Sequence, residues 1–93
     1  MRRVVGRQLV ALERDFLDEL AARHRRVAVD VGTGEGQGVL RRARREPDVL
    51  VIGVDAVAEN MREASHRASR SRARGGVPNA LFVVAAADEL PGP

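Results

Sequence analysis

The sequence predicts an α/β fold in which three parallel strands alternate with two helices. Three apolar runs, 27–31, 49–54 and 80–86, have the length and composition of buried strands. The segments between them have helical spacing, and this alternation is typical of a parallel sheet. Right-handed crossovers place the strands in the order 3-2-1 across the sheet. The 93 residues therefore correspond to about half of a doubly wound sheet, so the chain is expected to stop where a second half would begin.

Residues 1–25 are expected to form an N-terminal extension made of a hairpin and a helix. Two short apolar runs flank Gly6 and Arg7, which is consistent with a β-hairpin, although one helix beginning near Arg7 also fits. Asp15 is a suitable N-cap for a helix through about Arg23, because apolar residues recur behind it at helical spacing. Residues 26–93 then contain the three strands and make up the rest of a single partial domain, 1–93.

Each remaining element has a local signal. The helix over about 36–45 ends before Pro47, with Leu40 and Ala43 facing the sheet and the arginines of 41–45 on its solvated face. The run 49–54 is apolar throughout, as in strands that are covered on both faces. The second helix spans about 58–70, and Glu63 and Arg67 can pair along it at i, i+4. A loop over 71–79 carries glycine, proline and charge.

Composition excludes several classes of protein. There is no cysteine, so a disulfide framework or thiolate metal site is ruled out, and the two histidines are far apart, so no metal is expected. No apolar run reaches the roughly 18 residues of a membrane helix, and no apolar core of signal-peptide length follows the basic segment 1–3. We therefore expect a cytoplasmic protein without membrane contact. All 16 basic residues are arginine, and the net charge of +3 permits an anionic partner without requiring one.

The most informative motif follows the first strand. Asp30 precedes three glycines at two-residue spacing, Gly32, Gly34 and Gly36, in the pattern D-x-G-x-G-x-G. Glycine lets the backbone approach a ligand closely, and the helix that follows presents free N–H groups to an anion such as a carboxylate. The motif therefore predicts a ligand site at the carboxyl end of this strand.

The register of the glycines excludes two common cofactor sites. A dinucleotide site needs G-x-G-x-x-G, but the three possible registers place Gln37, Val39 or Arg41 where the last glycine should stand. A P-loop needs lysine, and the chain has none. A dehydrogenase or nucleotide-sugar enzyme is therefore disfavoured.

The pattern resembles motif I of the class I S-adenosylmethionine (SAM) dependent methyltransferases, which implies the N-terminal half of their Rossmann-like fold. Ligands of such sheets bind at the carboxyl ends of the strands. The candidate cofactor-binding residues at these ends are Asp30, Gly32, Gly34, Gly36, Gly38, Asp55, Ala56, Ala87 and Asp88.

Three acids among these candidates have two possible roles each. Asp30 can accept from the cofactor's ammonium group or can hold the glycine loop through its backbone N–H groups. Asp55 stands 19 residues beyond Gly36, close to the roughly 20 at which an acid reaches ribose hydroxyls, but it could also cap the next helix. Asp88 can accept from the adenine amino group, with Ala87 leaving room for the ring, or can cap a following helix. Gly38 could leave space for the cofactor or be a tolerated helix glycine.

A closer resemblance extends over essentially the whole chain. The segments 2–6, 30–36, 55–56, 75–82 (GGVPNALF) and 85–91 resemble the N-terminal part of the aminoglycoside-resistance 16S rRNA methyltransferases that modify N1 of the decoding-site adenine. The resemblance implies a SAM-dependent enzyme acting on the 30S subunit. It also implies a full enzyme about twice as long, whose later tryptophans hold the target adenine.

The same resemblance bears on activity and partners. Neutral adenine N1 carries a lone pair and needs no general base, so no catalytic residue is expected in this chain. The half alone is expected to be inactive, and the alternative is a non-catalytic SAM- or RNA-binding module. The RNA-binding candidates, which could also be a solvated basic surface, are Arg67, Arg70, Arg72 and Arg74. An open sheet edge beside the first parallel strand could also support self-association.

Overall fold

A computed structural model describes residues 1–86 of the protein, in which strands and helices alternate as an α/β fold. The elements are β1 (Arg2–Val5), β2 (Gln8–Ala11), α1 (Arg14–Ala22), β3 (Arg26–Val31), α2 (Gln37–Arg45), β4 (Val49–Asp55), α3 (Ala58–Ala68) and β5 (Ala80–Val84). One turn of 3-10 helix, Arg72–Arg74, lies between α3 and β5. The predicted α/β class is therefore confirmed.

All five strands belong to one sheet, in the order β2-β1-β5-β4-β3. The strands β3, β4 and β5 are parallel, whereas β1 is antiparallel to both β2 and β5. The segment around Gly6 and Arg7 is thus the turn between two strands rather than the start of a helix. The buried Ser65 hydroxyl fixes this hairpin to α3, because it donates to Val4 O (2.8 Å) and accepts from the Gly6 N–H (3.0 Å).

The helices cover the two faces of the sheet. On one face α2 and α3 bury Leu40 and Met61 against Val51 and Phe82. On the other face α1 packs its apolar side against β4 and β5. The strand β4 is consequently buried from Val49 to Val54, as its continuous apolar run predicts.

The strand β3 differs from its prediction as a buried strand. It lies at an edge of the sheet, and Val27, Val29 and Val31 are 42%, 56% and 58% exposed. Their register neighbours on β4 are buried, because α1 lies over β4 and β5 and does not reach β3. A row of valines is therefore exposed beside an edge that pairs with no other strand in residues 1–86.

Two helix boundaries also differ from their predictions. The helix α1 begins at Arg14 after Glu13, so Asp15 lies in the first turn instead of at the cap. There its charge still favours the positive end of the helix dipole. The helix α3 ends at Ala68 instead of residue 70, because the chain turns back and the Val77 N–H donates to Ala68 O at 2.9 Å.

Candidate functional site

The glycine loop crosses the carboxyl end of the neighbouring strand β4. The N–H groups of Gly32 and Thr33 both donate to Val54 O, at 2.8 and 3.1 Å. Gly32, Gly34 and Gly36 all have positive φ, at 72°, 59° and 78°, so each turns the chain through the left-handed region. The alternating glycines of the motif thus form a compact loop between β3 and α2.

The three glycines face different surroundings. A Cβ on Gly36 would lie 2.6 Å from Phe82 Cε1 and 2.9 Å from Ala64 Cβ, so this glycine is required by the packing of the loop on β5 and α3. A Cβ on Gly32 or Gly34 would meet no described atom within 4 Å. The first two glycines therefore leave an open shelf over the strand ends, while the third anchors the loop below it.

Asp55 connects the glycine loop to the start of α3. Its Oδ2 accepts from the Gly34 N–H at 2.9 Å, and its Oδ1 accepts from the Val57 N–H at 3.0 Å. These backbone donors, Val57 first and then Gly34, hold the pKa of the Asp55 carboxyl below its usual range. The helix-capping contact considered from sequence is therefore present, and a loop contact accompanies it. Each oxygen retains a lone pair that could accept a further hydrogen bond.

Asp30 lies at the end of β3, next to the same loop. Its Oδ2 accepts from the Thr33 hydroxyl at 3.0 Å, and the residue is exposed. The hydrogen bond to a loop backbone N–H that sequence suggested for Asp30 is made by Asp55 instead. A Cβ on Gly38 would stand 4.0 Å from Asp30 Oδ2, so a larger residue would fit there in the absence of a ligand.

Of the three remaining cofactor candidates, the structure describes one. Ala56 is exposed and directly follows Asp55 at the end of β4. Ala87 and Asp88 lie outside the described residues. The structure thus brings together Asp30, the glycine loop and the Asp55-Ala56 pair at the carboxyl ends of β3 and β4.

Comparison with known proteins identifies the kind of protein that carries this loop. The family model for NpmA, 16S rRNA (adenine(1408)-N(1))-methyltransferase, matches residues 2–93. The chain belongs to this family. The relative from Streptoalloteichus hindustanus, a 16S rRNA (adenine(1408)-N(1))-methyltransferase, is 38% identical over 91 residues, which are 98% of this chain and 42% of that protein.

Solved structures agree in fold. The antibiotic-resistance methyltransferase Kmr is 52% identical with a TM-score of 0.93, over 98% of this chain and 47% of Kmr. A variant 16S rRNA (adenine(1408)-N(1))-methyltransferase from Catenulisporales acidiphilia, crystallised with cosubstrate SAM, is 36% identical with a TM-score of 0.92, over 98% and 41% of the two chains. The chain therefore spans under half of the length of these NpmA-family relatives.

The four RNA-binding candidates are not equivalent. Arg67 Nε lies 3.2 Å from Glu63 Oε1, which confirms the predicted i, i+4 pair and partly neutralises this arginine. Arg70, Arg72 and Arg74 are exposed, and in residues 1–86 none of them has a carboxylate within 4 Å. The loop that carries them is held by its own backbone, for example by the Gly76 N–H to Ser71 O at 2.9 Å.

The segment Gly75-Gly76-Val77-Pro78-Asn79 contains a residue whose role the sequence did not show. The Asn79 amide is buried, and its Nδ2 lies 2.8–3.0 Å from the carbonyl oxygens of Ala43, Glu46 and Val49. It therefore joins the end of α2 to the start of β4. Gly76 packs so closely on Arg70 that a Cβ would collide with its carbonyl. The sequence drew attention to this segment only through its resemblance to the family. That resemblance did not show that Asn79 binds three carbonyl groups or that Gly76 packs on Arg70.

None of the helices in residues 1–86 is long and apolar enough to cross a membrane.

Proposed function

We propose that this chain provides the SAM-binding and RNA-docking half of a 16S rRNA (adenine(1408)-N(1))-methyltransferase that confers aminoglycoside resistance. The observation that carries the proposal is the open shelf over Gly32 and Gly34, with Asp30 and Asp55 beside it, in a chain that matches the NpmA family over residues 2–93. In this proposal residues 26–93 are the N-terminal half of a Rossmann-like domain, and residues 1–25 extend its sheet. An enzyme with this substrate acts in the cytoplasm, where the ribosomes are.

The residues at the shelf fit SAM by size and by charge. No described protein atom lies within 4 Å of the position that a Cβ on Gly32 or Gly34 would take. Because both residues are glycine, a ligand can use this space, which a larger side chain would fill. Asp30 is exposed and carries acceptor capacity toward the cofactor's ammonium group, and Asp55 retains lone pairs toward ribose hydroxyls. When bound, SAM supplies the methyl group carried on its sulfonium. We assign the adenine ring of the cofactor to Ala87 and Asp88, as the family resemblance implies.

The protein's own contribution at this site is positional. Asp55 fixes the loop and α3 relative to each other, and Gly36 fixes the loop on the sheet. Preorganised positioning of two reactants can replace acid–base catalysis when the attacking atom needs no deprotonation. The two aromatic residues do not offer a base platform, because Phe82 is buried and Phe16 lies under the Arg3 guanidinium, 4.1 Å from its ring centroid.

RNA docking is assigned to Arg70, Arg72 and Arg74, with Arg67 at the margin. Arginines clamp phosphate oxygens and position a protein on folded RNA without reading bases. Their exposure and their lack of ion pairs in residues 1–86 leave their charge available for such contacts. A second possibility is that the chain binds SAM or RNA without transferring a methyl group, and it is favoured by the length comparison with the relatives.

Calorimetric titration of the chain with SAM, S-adenosylhomocysteine and NAD tests the cofactor assignment, with circular dichroism as a check on folding. We expect heat from the first two ligands and none from NAD. A folded chain that binds none of them would contradict the assignment.

A chimera separates an enzyme from a binding module. In it, residues 1–93 would replace the corresponding part of Kmr, and methyl transfer to 30S subunits would be measured. Transfer by the chimera supports the enzyme, and SAM binding without transfer supports the binding module.

A further inference from the structure

A second basic surface lies at the opposite end of the sheet from the glycine loop. It surrounds a groove of about 470 Å³ at the amino ends of β3, β4 and β5. The groove is lined by the end of α1, the end of α2, the 3-10 turn and the segment before β5. Its rim consists of the guanidinium groups of Arg23, Arg44 and Arg72 together with the His24 imidazole, and no described residue lining it is acidic.

The arginines near this groove separate into a paired set and an unpaired set. Arg25 is paired with Asp48, and Glu46 is held by both Arg26 (3.2 Å) and Arg42 (2.9 Å). The acids adjacent to Pro47 are therefore already neutralised. By contrast, Arg23 and Arg72 have no carboxylate within 4 Å in residues 1–86, and Arg44 makes one long contact, 3.4 Å from its Nη2 to Gly75 O. The net potential of the groove is consequently positive.

The groove also has an apolar floor and one further polar group, the His24 imidazole. Leu20, Pro47, Val77 and Pro78 provide an apolar floor. His24 Nδ1 lies 2.8 Å from Leu20 O, so this nitrogen is the donor and Nε2 is left for another partner. A cationic rim over an apolar floor suits a ribose-phosphate unit, whose phosphate oxygens accept from guanidinium groups while the sugar lies on apolar carbon.

We propose that this groove binds the sugar–phosphate backbone of ribosomal RNA and extends the docking surface to Arg23 and Arg44. The inference rests on the proposed function and deepens it. Arg72 belongs to both surfaces, so the cations form a continuous series from the end of α3 to the ends of α1 and α2. A series of cations fits a polymeric phosphate better than a single free nucleotide, because each contact releases condensed counterions from the polymer.

The test measures binding of the chain to 30S subunits as a function of KCl concentration. The groove variant is Arg23→Gln with Arg44→Gln. Its matched control is Arg14→Gln with Arg41→Gln, which removes the same charge from α1 and α2 at exposed positions outside the groove. We expect the slope of log K against log [KCl] to become shallower by about 1 for each groove arginine, and affinity near 0.1 M to fall roughly tenfold for each arginine removed. The control should keep the original slope.

Several outcomes would overturn the inference. A groove variant that binds with the slope and affinity of the control leaves Arg23 and Arg44 without an RNA contact. Arg23→Gln alone repeats the test without touching the Arg44 contact to the loop, and circular dichroism verifies that each variant is folded. If AMP binds the groove at micromolar concentration and 30S binding is unaffected by the variants, the groove is a small-molecule site. If the unmodified chain does not bind 30S subunits, RNA docking as a whole is wrong, whereas SAM calorimetry still tests the cofactor site separately.

Discussion

The two ends of the parallel strands differ in the backbone groups that need hydrogen-bond partners: N–H groups at the carboxyl ends and carbonyl groups at the amino ends. At the carboxyl ends the glycine loop leads into α2 and α3 begins, and the Asp55 carboxylate accepts from the backbone N–H groups of Gly34 in the loop and of Val57 at the start of α3. At the amino ends α2 finishes and β4 begins, and the Asn79 amide faces three backbone carbonyl groups, those of Ala43, Glu46 and Val49. At the carboxyl ends the Asp55 carboxylate, which only accepts hydrogen bonds, connects the loop to α3. At the amino ends the donor NH₂ group of Asn79 connects α2 to β4. Each end is therefore organised by one polar residue whose hydrogen-bonding chemistry matches the backbone groups around it.

The consequence for function is a difference in surface charge. The carboxyl-end shelf carries the negative charges of Asp30 and Asp55, and we propose that Asp30 accepts from the ammonium group of SAM and Asp55 from its ribose hydroxyls. The amino-end groove carries Arg23, Arg44 and Arg72, which suits phosphate.

Asn79→Ala should be the most destabilising change at the amino ends. It removes the donor from three carbonyl groups, of which those of Ala43 and Val49 form buried hydrogen bonds with it. Leaving buried acceptors unsatisfied costs about 1–3 kcal/mol each, so we expect a loss of roughly 3 kcal/mol in the free energy of unfolding. Urea denaturation measures this loss. Asn79→Asp should be at least as damaging, because a carboxylate would face the same carbonyl oxygens, and a stability close to that of the unmodified chain for either variant would contradict the assigned role.

Gly36→Ala should be the most destabilising change in the glycine loop. The added Cβ would collide with Phe82 and Ala64, and φ is 78°. Left-handed strain of about 1–2 kcal/mol and overpacking of about 1–3 kcal/mol predict a combined loss of about 2–5 kcal/mol, with loss of SAM binding. The control is Gly38→Ala in α2, where there is room for a Cβ and helix propensity favours alanine by up to about 1 kcal/mol.

The control is itself informative, because Gly38 is a cofactor candidate. Unfolding experiments and SAM calorimetry on both variants separate packing from binding. If Gly38→Ala weakens SAM binding while it preserves stability, the glycine leaves room for the cofactor. If it changes neither, Gly38 is a tolerated helix glycine. Equal stability of Gly36→Ala and the unmodified chain would mean that the loop adapts to a larger residue.

Asp55→Asn should weaken the loop by a smaller amount. An amide can accept from only one of the two backbone donors, because its NH₂ group would face the other, so we expect a loss of about 1–2 kcal/mol together with weaker SAM binding. Asp30→Asn is the matched control for stability, since Asp30 is exposed and accepts from the Thr33 hydroxyl. A larger loss for Asp30→Asn would reverse the roles assigned to the two acids.

Asp55→Asn should also change how the free energy of unfolding depends on pH under acidic conditions. Backbone donors lower the pKa of Asp55 in the folded state, so its contribution is fully present above the unfolded pKa of about 3.9. That contribution is lost as pH falls through the lower folded-state pKa. The unmodified chain should therefore lose stability more steeply below about pH 4 than Asp55→Asn does. Parallel curves in this range would show that the carboxylate contributes no proton-linked stability.

Sequence patterns predicted the fold more completely than the site. Strand and helix positions follow from apolar periodicity, and the left-handed loop follows from glycine spacing. The exposure of Val27, Val29 and Val31 could not be predicted, because it depends on where α1 lies across the sheet. The division of roles between Asp30 and Asp55 likewise depends on which carboxylate the loop approaches. The Asn79 contacts join segments that are 30–36 residues apart, a separation that carries no local pattern.

The smallest expected effect on stability concerns the β3 edge and self-association. An edge strand offers unpaired N–H and C=O groups to another chain, and the exposed valines add an apolar strip beside them. We expect concentration-dependent dimerisation of the chain in sedimentation velocity, and Val29→Lys should abolish it with little change in unfolding free energy, because Val29 is 56% exposed. Leu9→Lys on β2, the opposite edge and 37% exposed, is the control and should still dimerise. A monodisperse monomer for the unmodified chain would contradict self-association, while dimerisation that is lost in Leu9→Lys and kept in Val29→Lys would move the contact to the hairpin.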